Sequence, residues 1–154
     1  VTPFVHGALR EAGRRRAARV LVTCNPAARR ADVVIAPRVG PEVIAGSTRL
    51  HAGTATKLVL NALTVAAMIR LGKVYGNLMV DLQPRSAKLK ARARAIVAEL
   101  AGVPDVEAAR ALHAAGNRAK VAVVMLRRGV SRAAAERLLE RGGGFLRKAI
   151  EAEC

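Results

Sequence analysis

Gly40-Pro-Glu-Val-Ile-Ala-Gly-Ser-Thr-Arg-Leu50 is the stretch on which the fold of this 154-residue chain depends. Gly46 frees the backbone just ahead of Ser47 and Thr48, and from there apolar residues recur at helical spacing to about Leu71. The pattern predicts that both hydroxyl residues lie at the N-terminus of a long helix. Unpaired backbone N–H groups and the helix dipole attract phosphate to such a place. The alternative is an ordinary N-cap.

Upstream of this stretch the pattern predicts one helix and two short strands. Thr2 and Pro3 suit a helix start, and the β-branched runs Arg19–Cys24 and Asp32–Ala36 are typical of buried strands. Helix, strand, loop and strand make half of a parallel α/β layer. A sheet this small does not bury both of its faces, so we expect that another chain or a further segment completes it.

Downstream the sequence predicts a helical region. After a Gly-bounded turn and an ambiguous segment over 77–82, helical patterns run from about Pro84 to Ala101 and through three shorter segments, 105–115, 117–128 and 131–141. A Gly hinge at 142–144 leads to a last short helix. We therefore expect an α/β domain over residues 1–101 and a small helical subdomain over residues 102–154.

The charge is strongly basic, with 27 Lys and Arg against 11 Asp and Glu and a formal net charge of +16. Such an excess is an electrostatic footprint for polyanions, including nucleic acid. However, stacking platforms are scarce, since only Phe4, Tyr75 and Phe145 are aromatic, and no zinc-finger spacing occurs. The composition therefore argues against a nucleic-acid partner and agrees with phosphorylated ligands.

The two cysteines, Cys24 and Cys154, form no metal-type pair and suit a reducing compartment. No pattern of a signal peptide is visible. The most apolar segment, Leu58 to Leu71, contains Asn61 and Arg70, which makes it too polar and too short to span a bilayer. The sequence predicts a soluble, cytoplasmic protein with no metal site and no membrane contact.

The stretch from Gly40 to Asp81 resembles the N-acetylmuramic acid 6-phosphate etherase family almost residue for residue. The resemblance is carried by Gly-Pro-Glu-Val-Ile-Ala-Gly-Ser-Thr-Arg-Leu-His-Ala-Gly-Thr-Ala-Thr-Lys-Leu-Val-Leu-Asn and by Arg-Leu-Gly-Lys-Val-Tyr-Gly-Asn-Leu-Met-Val-Asp. The ending Gly-Gly-Gly-Phe-Leu-Arg-Lys-Ala-Ile over 142–150 is similar to the family's usual ending. The resemblance implies a partial parallel sheet of the sugar-isomerase (SIS) type flanked by helices, followed by the helical subdomain.

The resemblance also implies an enzyme of peptidoglycan recycling. Members of this family remove the D-lactyl ether from N-acetylmuramic acid 6-phosphate and produce N-acetylglucosamine 6-phosphate and D-lactate, without a metal or redox cofactor. Two glutamates of the family serve as base and acid, and they lie upstream of the part that this chain resembles. We therefore expect no catalytic residue in this chain, and we expect the chain alone to be inactive.

The resemblance implies that this chain carries part of a sugar-phosphate pocket. Gly46, Ser47 and Thr48 match the family's ligand-site turn, Glu42 matches a loop glutamate that could bond a sugar hydroxyl, and Arg49 matches a basic position. His51 stands where the family usually has Lys, which weakens phosphate attraction because a neutral His carries no charge. The family is typically a homodimer with its pocket near the subunit boundary.

Two further interpretations stay open at this point. A non-catalytic sugar-phosphate-binding regulatory module on the same fold would need no acid–base pair. A basic nucleic-acid binder would be retained on a polyanion from which sugar phosphates fail to displace it. A Gly-rich phosphate loop and two glutamates encoded immediately upstream would favour the enzyme.

Overall fold

The computed structural model describes residues 2–25 and 31–151. Within these residues it contains seven helices and four strands. In chain order they are α1 (Pro3–Arg14), β1 (Val20–Val22), β2 (Val33–Ile35), α2 (His51–Arg70), β3 (Val74–Tyr75), β4 (Leu78–Met79), α3 (Ala87–Ala101), α4 (Asp105–Ala114), α5 (Ala119–Arg128), α6 (Arg132–Arg141) and α7 (Leu146–Glu151). They fall into two compact units, Val1–Thr64 and Val65–Cys154.

The first unit contains the parallel strand pair that the sequence predicts. Strand β1 pairs with β2 in parallel, with Val20 opposite Val33 and Val22 opposite Ile35. A bidentate ion pair fixes the start of both strands, because the Arg19 guanidinium donates to the two Asp32 carboxylate oxygens at 2.7 and 3.1 Å. The mixed α/β class with a partial parallel sheet is thereby confirmed.

Helix α2 begins four residues later than the sequence predicts. The expected start at Ser47 is wrong, because the chain from residue 43 to 50 forms bends and turns and the helix opens at His51. The carboxylate of Glu42, nine residues upstream, accepts hydrogen bonds from the first backbone N–H groups of the helix. The start of α2 is therefore set by the Glu42 side chain, which caps the helix from nine residues upstream.

Helix α2 buries none of its side chains in this chain. Its exposed large apolar residues are Leu58, Leu60, Leu63, Val65 and Ile69. The expectation that this segment is too short and too polar to span a bilayer is corrected, because α2 extends over 20 residues and is by length and composition apolar enough to cross a membrane. Core helices of soluble proteins share this property. Apolar side chains of a helix are normally covered, so these residues of α2 form an unpartnered apolar surface.

The segment over 77–82 that was ambiguous in the sequence is half of a hairpin. Strands β3 and β4 pair antiparallel, with Val74 opposite Met79 and Tyr75 opposite Leu78. Gly76 occupies the turn with φ +59°, a backbone conformation that favours glycine. The hairpin leads into Val80, which is fully buried in the core of the second unit.

The second unit has one core, built from α3 to α7. Small and branched side chains dominate it, as the composition predicts; its fully buried members include Ala93, Val97, Val121, Val124 and Leu146. Ser86 and Ser131 cap α3 and α6 by accepting hydrogen bonds from Leu89 and Ala134 N–H. Ser86 is the reason that α3 begins at Ala87 and not at Pro84.

Helix α3 shares this core with the later helices, through Ala93, Ile96 and Val97. The division into residues 1–101 and 102–154 stays a prediction. Cys24 is half-buried and has a free thiol, while Cys154 lies outside the described residues.

Candidate functional site

The carboxyl ends of β1 and β2 and the first turns of α2 meet at a cavity of about 420 Å³. Thr23 and Asn25 reach it from the end of β1, Gly40 from the loop after β2, and Ala52 and Thr56 from α2. Ligands of open α/β sheets bind outside the carboxyl ends of the strands. The location of this cavity therefore makes it the candidate site of the first unit.

Glu42 is the charged residue of the cavity lining, and only 11% of its side-chain surface is exposed. Its Oε2 accepts from His51 N–H at 2.8 Å and its Oε1 accepts from Ala52 N–H at 3.0 Å. The hydrogen bonds from the Ala52 and His51 backbone hold the pKa of the Glu42 carboxyl below its usual value. Glu42 is therefore ionised at neutral pH and anchors the loop to the helix.

Glu42 also changes the expectation for phosphate at the α2 N-terminus. The first two N–H groups of the helix already donate to its carboxylate. A second anion at the same groups would meet a negative charge at close range. An intramolecular carboxylate thus caps the first two N–H groups of α2. Phosphate binding by the turn at this end of the helix stays a prediction.

The structure brings two of the five predicted site residues to this cavity, Glu42 and Thr48. Ser47 is half-buried and is not part of the cavity lining, and its backbone N–H donates to the Ile44 carbonyl at 3.1 Å. Among the described residues neither the Ser47 nor the Thr48 hydroxyl makes a hydrogen bond, so both can still serve a ligand. Gly46 has φ +79°, which explains the glycine at this turn.

Two basic residues of the stretch from Gly40 to Asp81 lie outside the cavity lining. Arg49 is exposed, and so is Lys57. The His51 ring nitrogen Nδ1 lies 3.2 Å from the Pro41 carbonyl oxygen and 3.8 Å from Glu42 Oε2. The His51 side chain thus folds back onto the loop.

Thr23 and Thr56 are lining residues that sequence reasoning missed. The position of Thr23 immediately after β1 was the signal that could have identified it, because strand ends form such sites. No comparable signal exists for Thr56, which lies in the second turn of α2 and reaches the cavity only because the helix begins at His51.

The cavity is suited to holding hydroxyl-rich ligands. The threonine hydroxyls of the lining donate and accept, and the Glu42 carboxylate has lone pairs beyond the two that the backbone uses. Among the described lining residues it is the sole carboxylate.

Comparison with curated proteins finds close relatives of the whole chain, whereas no family model matches it. The chain is 50% identical over 152 residues to the N-acetylmuramic acid 6-phosphate etherase of Mesorhizobium japonicum, covering 97% of this chain and 50% of that protein. It is 51% identical over 154 residues to the N-acetylmuramic acid 6-phosphate etherase of Mycolicibacterium smegmatis, and the match covers 98% of this chain and 52% of that protein. The chain thus spans about half the length of the curated relatives that it matches.

Proposed function

The chain belongs to the N-acetylmuramic acid 6-phosphate etherase family as a C-terminal portion, and from this premise we propose that it forms the substrate-binding part of such an enzyme. The complete enzyme would convert N-acetylmuramic acid 6-phosphate and water into N-acetylglucosamine 6-phosphate and D-lactate. The observation that supports this role most directly is the cavity at the strand ends, which threonine hydroxyls and the Glu42 carboxylate line.

The proposed division of labour follows from the chemistry. A base removes the proton on C2 of the open-chain sugar, which the neighbouring aldehyde acidifies; lactate then leaves from C3 with a proton from an acid, and water adds to the double bond. The one carboxylate that lines the described cavity already accepts two backbone hydrogen bonds. The base and the acid are therefore proposed to come from polypeptide outside this chain.

The binding role is assigned to the loop before α2. Thr48 and Ser47 would donate to the sugar or its phosphate, Glu42 would accept from a sugar hydroxyl, and Gly46 would keep the turn open. Arg49 is exposed and could approach an anionic group of the substrate. The formal charge of +16 would raise the local concentration of a substrate that carries both a phosphate and a carboxylate.

The setting proposed for this enzyme is cytoplasmic, and the assembly proposed is a homodimer. Both proposals rest on the family resemblance. The unpartnered apolar surface of α2 supports an arrangement in which further polypeptide covers that helix.

A chimaera tests the proposal. The matching half of the Mycolicibacterium smegmatis protein would be replaced by this chain, and D-lactate release from N-acetylmuramic acid 6-phosphate would be followed with D-lactate dehydrogenase. We expect the chimaera to release lactate and the 154-residue chain alone to release none. Lactate from the chain alone would place the acid–base groups on this polypeptide and overturn the proposed division.

Two substitutions in the same chimaera test the binding role. Ser47→Ala and Thr48→Ala should each raise KM roughly tenfold, because each removes one donor to a charged or polar ligand group. Thr54→Ala is the matched control, since Thr54 is an exposed α2 residue outside the cavity lining. Equal kinetics for all three variants would reduce Ser47 and Thr48 to structural residues. A chimaera that binds the sugar phosphate but never releases lactate would instead favour a regulatory module.

A further inference from the structure

A second cavity lies wholly within the helical unit, with a volume of about 670 Å³. Its lining includes Lys73 before β3, the segment after β4, the turn before α5 with the first turn of that helix, and Gly144 in the turn before α7. The volume is within the usual range for small-molecule sites. None of the residues discussed for the proposed etherase function lines it.

Four cationic side chains line this second cavity: Lys73, Arg85, Arg118 and Lys120. Among the described residues of the lining, Asp81 is the one carboxylate, and both lysines share it, with Lys73 Nζ at 3.6 Å and Lys120 Nζ at 3.9 Å from Oδ2. Glu136 pairs with Arg118 at 2.9 Å. Even with both carboxylates counted, the cations remain in excess.

Lys120 is the most enclosed of these cations, with 12% of its side-chain surface exposed. Its ammonium donates to the Gly144 carbonyl at 2.9 Å, which holds the group at the cavity wall. Burial lowers the pKa of the Lys120 ammonium, and the nearby Lys73 and Arg118 act in the same direction, against the Asp81 carboxylate. A bound anion would offset both the burial of the Lys120 ammonium and its repulsion by Lys73 and Arg118.

The start of α5 adds further donors to the same wall. The N-cap residue Arg118 makes no side-chain cap hydrogen bond, so the first-turn N–H groups after it lack a side-chain acceptor. The positive end of the helix dipole adds to the field of the four cations. We propose that this cavity is a binding site for a small organic anion that carries a phosphate group, separate from the cavity at the strand ends.

Titration of the 154-residue chain with inorganic phosphate and with glucose 6-phosphate tests this proposal. Amide chemical shifts of Gly116, Asn117 and Lys120 should change and saturate, and sodium acetate at equal ionic strength should produce changes at least fivefold smaller. Lys73→Met and Lys120→Met should each raise the apparent Kd at least fivefold. Lys90→Met is the matched control, because Lys90 is exposed on α3 outside the lining, and its Kd should stay within twofold of the parent.

Three results would overturn the proposal: no saturable shifts at the cavity, equal responses to acetate and phosphate, or equal losses in all three variants. Circular dichroism melts would show whether each variant is folded. If Lys120→Met does not fold, Lys73→Met alone decides, since the Lys73 side chain is 38% exposed and has no role in the helical core. The outcome is independent of lactate release and so does not depend on the etherase proposal.

Discussion

Glu42 shows how one side chain controls a site at the residue scale. Its two carboxylate oxygens accept from the first N–H groups of α2, and it lines the cavity at the strand ends at the same time. A carboxylate at a helix N-terminus satisfies orphan donors and interacts favourably with the dipole. The loop that carries the predicted ligand residues is therefore held in place by a residue that was itself predicted to bind ligand.

Glu42→Ala should loosen the start of α2. We expect several-fold faster hydrogen exchange at the His51 and Ala52 amides, because both lose their acceptor. Glu99→Ala, at an exposed position of α3, is the control and should leave these amides unchanged. Since the pKa of Glu42 is lowered on folding, the protection should persist above the usual carboxyl pKa and disappear as pH falls through the lowered value. Unchanged exchange in Glu42→Ala would contradict the capping role.

Asp32 provides a second residue-scale prediction. The hydrogen bonds from Arg19 lower the pKa of the Asp32 carboxyl from 3.8 to about 2. Stability from this pair should be fully present above pH 3.8 and lost as pH falls through about 2. Titration of the Asp32 carboxyl carbon by NMR should show the low value, and Arg19→Gln should return it toward normal. A normal Asp32 pKa in the parent chain would mean that the pair does not form in solution.

At the scale of elements the chain divides sharply in how its helices are buried. Helices α3 to α7 enclose one core, in which Leu146 of α7 is 1% exposed. Helix α2 buries none of its residues, and Leu58 is 63% exposed. The free energy of unfolding should therefore depend on the later helices much more than on α2.

Leu146→Ala and Leu58→Ala test that difference. Removing the buried side chain should cost about 2–5 kcal/mol of unfolding free energy, because it leaves a cavity in the core. Removing the exposed one should change the unfolding free energy by less than about 0.5 kcal/mol. Urea denaturation measures both. Equal losses of unfolding free energy in the two variants would mean that α2 is covered in solution or that α7 does not pack against the other helices of the core.

At the scale of the whole molecule, the apolar surface of α2 predicts self-association of the isolated chain. Exposed apolar side chains in this number on one helix mediate contacts or aggregation. Light scattering after size exclusion should give an apparent mass above the 16.2 kDa of one chain at micromolar concentration. Leu58→Glu should lower that mass, because a charge on the patch disfavours its burial.

Ala133→Glu is the matched control for the association experiment. It makes the same change of charge at an exposed position of α6, in the other unit, and should leave the apparent mass of the chain unchanged. A monomer at every concentration, or an equal response to both substitutions, would show that α2 does not drive association.

The sequence alone determined most of the elements, the class and the family of this protein, because these features depend on neighbouring residues. The β-branched runs around Val20 and Val33 predicted the strands, the helical pattern over 131–141 predicted α6, and the motif from Gly40 to Asp81 carried the family resemblance. Each of these signals lies within a few residues of the feature that it specifies.

Only the tertiary structure decided which residues meet. Glu42 reaches across nine residues to set the start of α2, Thr56 joins Thr23 at one cavity, and Lys120 approaches Gly144 from 24 residues away. Contacts between residues this far apart depend on the path of the folded backbone, which local propensity does not encode. For that reason the cap of α2 and the basic cavity of the helical unit emerged from the folded chain.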